Sequence, residues 1–201
     1  YNPPYYHSYL KNCGFATEKG VVEMRVEFSG ELAERYRSLS SPAGVRLRAW
    51  DFSRIEAENS LFTKLLNETF AQHWGAGPFA PEEAAGLTAG MRDWLVPEFC
   101  WFAEVDGEHA GFVYALPDLN QGAEITHGVL LIIGVRSKFR GRGVNLALGA
   151  RSYLAMIERG YRSASYTVVL DDNWASRRTA EKLGCRVARN FVVYRRDSGH
   201  A

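Results

Sequence analysis

The chain has 201 residues, of which 46% are hydrophobic, 13% aromatic and 23% charged, which is typical of a soluble globular protein and excludes a disordered or fibrous chain. No apolar run approaches the roughly 20 residues of a membrane-spanning helix. The net charge of +1 is uneven, because residues 130–201 carry 14 Lys and Arg against 5 Asp and Glu, a net charge of +9, which leaves −8 for residues 1–129.

The cysteines exclude two common classes of small protein. Cys13, Cys100 and Cys185 are far apart and odd in number, so they indicate neither a disulfide framework nor a metal-ligand cluster. No secretory signal precedes the first apolar segment. We therefore expect reduced thiols, a cytoplasmic location and no bound metal.

The front of the chain, residues 1–44, is predicted to be an N-terminal segment ahead of a domain at 45–201. A stretch ending in Gly14-Phe15 is followed by a strand-like run at 21–28, and this order recurs near the end of the chain. Our hypothesis is that residues 1–29 are the closing helix and strand of a preceding unit of the same kind in a longer native protein. The alternative is an N-terminal extension that packs on the sheet.

The middle of the chain alternates between helical and extended patterns. Ser53 and Glu56 predict a capping box at the start of a helix, Pro81 suits the first turn of another, and Asp106-Gly107 predicts a hairpin turn. The predicted elements are a strand at 45–50, a helix at 53–72, a helix from 81, and strands at 99–105, 109–116 and 128–135.

The last third continues with a helix, a strand, a helix and a strand, predicted at 143–160, 165–170, 173–183 and 191–195. Gly160 is a suitable residue for ending the first of these helices. From residue 45 the order is β-α-α-β-β-β-α-β-α-β. It predicts an α+β fold, with a mixed sheet and helices on both faces.

The most informative segment lies between the apolar strand at 128–135 and the helix that follows it. Its four cations and two glycines are Arg136, Lys138, Arg140, Arg142, Gly141 and Gly143. The first turn of a helix has N–H groups without partners, and its dipole favours negative charge. Glycine lets the backbone approach a ligand closely, so the segment predicts a phosphate or pyrophosphate site.

Two familiar phosphate loops do not fit this segment. A P-loop needs a lysine followed by Ser or Thr after its second glycine, whereas Val144 and Asn145 follow Gly143. A dinucleotide-binding loop needs a third glycine where Leu146 stands.

The remaining pattern resembles the acyl-CoA loop of the GNAT superfamily, the acetyl-CoA-dependent N-acyltransferases, roughly (Q/R)-x-x-G-x-(G/A). Arg140 and Gly143 match this pattern, and Asn145 departs from its last position. The resemblance implies a twisted mixed sheet with a splayed central strand. It also implies that acetyl-CoA is the co-substrate.

A second block is similar to the family pattern N-x-x-A-x-x-x-Y-x-x-x-G-F. Asn173 and Gly184 match at the correct spacing, and Ser176 replaces the alanine. Ala180 stands where the family often has a tyrosine that protonates the departing thiolate, and Cys185 replaces the phenylalanine. The usual acid is therefore missing.

A narrower likeness concerns the segment Pro117-Asp118-Leu119-Asn120. It resembles a bacterial subgroup of larger GNAT proteins. This likeness supports the fold and leaves the acceptor open. Asp118 and Asn120 shape the acceptor pocket in one reading and make a turn after Pro117 in the other.

The resemblance assigns coenzyme A contacts to the central strand, the loop and the second block. Backbone groups of Ile133 and Val135 would contact the pantetheine and the developing oxyanion, and the loop would bind the pyrophosphate. Arg177 and Arg178 would reach the ribose phosphate or remain a solvated helix face. The full predicted set is Ile133, Val135, Lys138, Arg140, Gly141, Arg142, Gly143, Val144, Asn145, Asn173 and Ser176.

The catalytic groups are less well defined than the loop. Glu124 and His127, just before the central strand, are candidate bases, and Glu104 is a third candidate. Tyr166 or Tyr194 could replace the missing acid. His73 and Trp74 are assigned to packing.

The preferred function is transfer of an acetyl group to a primary amine by direct attack in a ternary complex. The acidic half of the chain could attract a cationic amine. The alternative is a non-catalytic GNAT-like module for acyl-CoA binding or assembly. Nucleic-acid binding ranks last because the cations cluster with glycines rather than with aromatic residues. No membrane partner is expected. A homodimer remains an open alternative.

Overall fold

The computed structural model describes residues 2–197, with Leu87 and Met91 described by their backbone alone. Within this part of the chain, seven strands form one sheet and six α-helices flank it, and no helix is long and apolar enough to cross a bilayer. The elements are α1 (Tyr5–Asn12), β1 (Ala16–Glu27), α2 (Gly30–Leu39), β2 (Val45–Ala49), α3 (Ile55–Phe70), α4 (Pro81–Met91), β3 (Trp101–Val105), β4 (Glu108–Pro117), β5 (His127–Val135), α5 (Val144–Glu158), β6 (Ser163–Leu170), α6 (Trp174–Lys182) and β7 (Arg186–Arg195).

The strands lie in the order β2-β3-β4-β5-β6-β1-β7, and every neighbouring pair is antiparallel except β5 and β6. The element order from β2 onwards is the predicted one, so the mixed α+β fold is confirmed. Asp106 and Gly107, at φ 53° and 79°, make the predicted hairpin turn. Gly160, at φ 83°, follows the end of α5 as expected.

Helices cover both faces of the sheet and bury two separate apolar clusters. On one face α2 and α5 pack over a cluster that includes Met24 and Tyr153, both about 1% exposed or less. On the other face Phe62 of α3 packs against Phe112 and Tyr114 of β4. The strands β4 and β5 are therefore covered on both faces.

The N-terminal segment contributes a strand to this sheet. β1 lies between β6 and β7 and is antiparallel to both. The stretches α1–Gly14–β1 and α6–Gly184–β7 are built alike, with left-handed glycines at φ 80° and 87°. The origin of residues 1–44 in a preceding unit stays a prediction.

Two local expectations were wrong. Helix α2 was not predicted, although Ser29 accepts a hydrogen bond from the Leu32 N–H, as an N-cap serine does. The capping box of Ser53 and Glu56 does not form, because a 3₁₀ helix at Phe52–Arg54 precedes α3. Asp51 accepts from the Ser53 N–H instead.

The central strand separates from its neighbour halfway along. β5 pairs with β6 only where His127–Leu130 faces Ser163–Tyr166, although both strands continue further. Each strand also carries an extra residue against its other neighbour, near Leu131 in β5 and near Val168 in β6. The predicted splay of the central strand is confirmed.

Candidate functional site

A cavity of about 720 Å³ fills the space between the separated halves of β5 and β6. Besides the two strands, the last turn of α3, the loop before α5 and the first turns of α5 and α6 contribute to its wall. The wall is formed by Thr69, Phe70, His73, Leu130, Leu131, Ile132, Ile133, Gly134, Val135, Phe139, Arg140, Gly141, Asn145, Tyr166, Thr167, Val168, Val169, Asn173, Ala175, Ser176 and Thr179. We call it the β5–β6 cavity.

The loop at the start of α5 leaves a row of amides available for a ligand. Gly141 and Gly143 are left-handed, at φ 81° and 78°, a conformation that glycine adopts without strain. The Ala147 N–H bonds to the Gly143 carbonyl and begins the helix. In the described structure, the N–H groups of residues 141–146 have no protein acceptor. Open amides at a helix start, together with the helix dipole, favour a negatively charged ligand.

Seven of the predicted coenzyme A residues lie in the cavity wall. They are Ile133, Val135, Arg140, Gly141, Asn145, Asn173 and Ser176. Gly143 and Val144 form the start of α5, where the Val144 side chain is buried in the core.

Two predicted cations face away from this wall and pair with the β3–β4 hairpin. Lys138 pairs with Glu108, and Arg142 lies 3.0 Å from the Asp106 carboxylate. Arg140 lines the cavity, and its Nε donates to the Val135 carbonyl at 3.3 Å. Of the three predicted cations, the structure therefore gives Arg140 the position best suited to an anion in the cavity.

The first turn of α6 explains how the wall is held. Asn173 caps the helix by accepting from the Ser176 N–H at 3.2 Å. Asn145, which departs from the family pattern, donates to Thr179 at 2.5 Å and ties α5 to α6. Arg177 donates to the Asp171 carbonyl at 2.9 Å. The side chain at 145 therefore has a structural partner.

Of the two candidate acids, Tyr166 lies in the cavity wall. Its hydroxyl is 3.0 Å from the Ser176 hydroxyl, and burial raises its pKa to about 12. Tyr194 is on β7, where it contacts His7. Ala180 is fully buried one turn after Ser176. Tyr166 thus places a hydroxyl at the start of α6 in a chain that lacks tyrosine at 180.

His127 lies in a hydrogen-bonded chain that crosses three strands. Arg25 donates to Ser163 Oγ at 3.1 Å, and Ser163 Oγ is 2.7 Å from His127 Nδ1. His127 Nε2 is 2.8 Å from Ser165 Oγ, which donates to Glu23 at 2.7 Å. Both ring nitrogens are engaged, in the pattern of a neutral imidazole protonated at Nε2. The geometry gives His127 a structural role.

The other acidic candidates also lie outside the cavity wall, as far as the described residues go. Glu124 is exposed in the bend before β5, and Glu104 is 3.6 Å from Arg46. Asp118 accepts from the Asn120 N–H at 3.1 Å, so this pair makes a turn. A base role for Glu124 or His127 stays an untested prediction without support from this geometry.

We expect acid to destabilise the fold partly through His127. Burial lowers the pKa of His127, and the nearby Arg25 lowers it further. Below about pH 6.5, the ordinary pKa of histidine, the unfolded chain binds a proton at His127 while the folded chain does not. Stability is therefore lost as the pH falls from about 6.5 towards the lower pKa of His127 in the folded chain. Urea unfolding at several pH values should show a smaller acid-induced loss for His127→Gln than for the wild type. Equal losses would contradict this role.

The backbone of β6 is strained where it faces the cavity. Val168 is left-handed at φ 54°, a conformation that a β-branched residue rarely adopts, and the residue is 69% exposed. The strain coincides with the extra residue of β6 and with the loss of pairing to β5. Such strain is concentrated at functional sites.

We expect Val168→Gly to raise the melting temperature. A left-handed residue with a Cβ costs about 1–2 kcal/mol, whereas the added flexibility of glycine costs about 0.5–1 kcal/mol. Because little apolar surface of Val168 is buried, the net change should be a gain of up to a few degrees. The control Val187→Gly, on the exposed strand β7, should lower it. A lower melting temperature for Val168→Gly would contradict the inference that the backbone is strained at this residue.

His73 is a wall residue that the sequence pattern assigned to packing. It lies just after α3, and only the separation of β5 from β6 brings it into the same cavity as the loop before α5. No local signal in the sequence distinguishes it from other loop histidines.

Comparison with known proteins gives a consistent result. The model of the acetyltransferase (GNAT) family matches residues 61–185. A bacterial ceramide synthase from Caulobacter vibrioides is 26% identical over 223 residues, covering 96% of this chain and 58% of that protein. The chain thus spans little more than half of this relative's length.

Two solved structures share the fold. A GCN5-related N-acetyltransferase from Sphaerobacter thermophilus has a TM-score of 0.71 at 18% identity, covering 94% of this chain and 55% of the other. A tandem GNAT protein from the clavulanic acid biosynthesis pathway has a TM-score of 0.63 at 16% identity, covering 96% and 58%. With the family match over more than half of its residues, the chain belongs to the acetyltransferase (GNAT) family, as the resemblance of the loop before α5 predicted.

Proposed function

We propose that this chain transfers an acyl group from acetyl-CoA to a primary amine, by direct attack of the amine in a ternary complex. The observation that carries this proposal is the row of open amides at residues 141–146, which borders a cavity between two separated strands. The family match supports acyl-CoA chemistry in general.

The residues present fit coenzyme A. The open amides and Arg140 provide the donors that a pyrophosphate needs, and the apolar wall of β5 and β6 suits a pantetheine arm. Acetyl-CoA supplies an acyl group activated as a thioester. The chain binds the donor and positions the groups that handle protons.

Tyr166 is positioned to stabilise the departing thiolate. Because burial raises its pKa to about 12, it keeps its proton and donates a hydrogen bond rather than acting as a strong acid. Ser176 is close enough to donate to the Tyr166 oxygen at the same time. This pair would replace the tyrosine that is absent at Ala180.

An amine with an apolar tail is the acceptor class that we favour. A ceramide is the amide of a long-chain amino alcohol, so the name of the Caulobacter relative fits acyl transfer to such an amine. The cavity wall is largely apolar, with Leu131, Ile132 and Val168 among its residues.

The test combines calorimetry with a thiol-release assay. Acetyl-CoA and longer acyl-CoAs are titrated into the chain, and thiol release is then measured with sphinganine, spermidine and L-lysine. Binding of acyl-CoA with amine-dependent thiol release supports the transferase. Binding without release by any acceptor indicates the alternative, a non-catalytic acyl-CoA-binding module, and absence of binding overturns the site.

A further inference from the structure

Transfer to an amine requires a group that removes a proton from nitrogen, and the cavity wall offers few candidates. Among the described wall residues there is no aspartate, glutamate or lysine, and His73 is the only histidine. The remaining polar side chains are hydroxyls, amides and the Arg140 guanidinium, none of which accepts a proton readily near neutral pH. Among the described wall residues, His73 is thus the one side chain suited to removing a proton from the amine nitrogen.

The backbone around His73 is well anchored. Its N–H donates to the Phe70 carbonyl at 2.8 Å, and its carbonyl accepts from the Ala76 N–H at 3.1 Å. The imidazole also packs against the Phe70 ring, with centroids 5.2 Å apart. The turn after α3 therefore holds the ring against the cavity.

The hydrogen bond of the imidazole fixes the useful tautomer. His73 Nδ1 lies 3.0 Å from the Trp74 carbonyl oxygen. A carbonyl only accepts, so in the neutral ring Nδ1 carries the proton and Nε2 has a lone pair. Within residues 2–197, no protein group bonds to Nε2. A general base needs this arrangement, with one nitrogen held and the other open.

The charges around His73 come from three elements. Asp172, in the turn between β6 and α6, has a lowered pKa, mainly because Lys19 of β1 donates to it at 2.7 Å and to a smaller extent because of His73. Glu18 of β1 accepts from the Trp74 indole at 3.4 Å, and Arg140 lies in the same cavity wall. The imidazole therefore lies among both carboxylates and cations.

We propose that His73 is the general base of the acyl transfer, with Nε2 as the accepting atom. The inference rests on the proposed function. As the amine nitrogen forms its bond to the acyl carbon, its proton passes to Nε2. The carbon–sulfur bond breaks, and its electron pair leaves with the sulfur. His73 then releases its proton to solvent, and the thiolate takes up a proton from solvent.

The test is the variant His73→Asn, whose amide can still donate to the Trp74 carbonyl but cannot act as a base. Its kcat/KM should fall about a hundredfold or more with the panel amine that the wild type uses fastest. The loss of kcat/KM on the acid side, which protonation of the base causes in the wild type, should disappear. The calorimetric Kd for acetyl-CoA should stay unchanged.

The matched control is His109→Asn, which removes an imidazole from β4 that lies 3.5 Å from Glu104 and outside the cavity wall. It should keep the wild-type rate and pH profile. Circular dichroism melting shows whether His73→Asn is folded. If it is not, His73→Gln provides the same comparison.

The outcomes separate the two proposals. Wild-type kcat/KM and pH profile in His73→Asn would overturn the base and leave the transferase intact. Loss of acetyl-CoA binding in that variant would also overturn it, since His73 would then serve the donor site. A wild-type chain that binds acetyl-CoA but releases no thiol with any amine would overturn the transferase itself, and the base with it.

Discussion

Replacing Gly141 by Trp is expected to weaken acetyl-CoA binding about a hundredfold or more, a loss of roughly 2.7 kcal/mol in binding free energy. Gly141 lies in the cavity wall, and a Cβ built there meets no protein atom within 4 Å. The indole would therefore occupy the space beside the open amides that the pyrophosphate needs. Calorimetry with acetyl-CoA measures the change directly.

The same helix offers a matched control for this variant. Gly160 follows the other end of α5, at φ 83°, and a Cβ there also meets nothing within 4 Å. Trp at either position costs about 1–2 kcal/mol of stability, because both backbones are left-handed. Gly160→Trp should therefore lose similar stability while binding acetyl-CoA like the wild type. Equal affinities of the two variants for acetyl-CoA would show that the loop is not part of the donor site.

The open amides of the loop before α5 could be predicted because everything that defines them is local. An apolar strand, two glycines and a helix start are adjacent in the chain, and helix termini leave amides without partners whatever the surrounding fold. Gly141 and Gly143 adopt left-handed angles that glycine takes without strain, and their role beside a ligand stays a prediction.

The partners of the loop cations could not be predicted from local pattern. Lys138 and Arg142 are as close to the glycines in sequence as Arg140 is, but the β3–β4 hairpin brings Glu108 and Asp106 to them. The pairing of β4 with β5 decides this geometry. A cation count therefore overestimates the charge that faces the ligand.

The residues proposed to handle protons were the least predictable part of the candidate site. His127 and His73 are both loop or strand-entrance histidines in the sequence, and only their surroundings distinguish them. The former is enclosed by Ser163 and Ser165, whereas the latter reaches the cavity because β5 and β6 separate. The separation depends on bulges near Leu131 and Val168, for which the sequence offers no glycine or proline signal.

Tyr166→Phe is expected to lower kcat about a hundredfold, the effect of removing one hydrogen-bond donor to a developing anion, while leaving the Kd for acetyl-CoA nearly unchanged. The variant keeps the aromatic ring in the wall and removes the hydroxyl that lies 3.0 Å from Ser176. A hydrogen bond to the thiolate strengthens as the carbon–sulfur bond breaks, so its loss should act on kcat rather than on binding. Thiol release with a saturating amine measures kcat.

The pH profile gives an independent check on the same residue. Because burial holds the pKa of Tyr166 at about 12, its hydroxyl stays protonated up to roughly pH 11, and the wild type should show no alkaline loss of kcat from this group below that pH. Tyr153→Phe is the matched control, since Tyr153 is also buried but contacts Cys185 and lies outside the cavity wall. It should retain the wild-type kcat. A wild-type kcat in Tyr166→Phe would show that the thiolate leaves without this hydroxyl and that solvent alone replaces the tyrosine missing at 180.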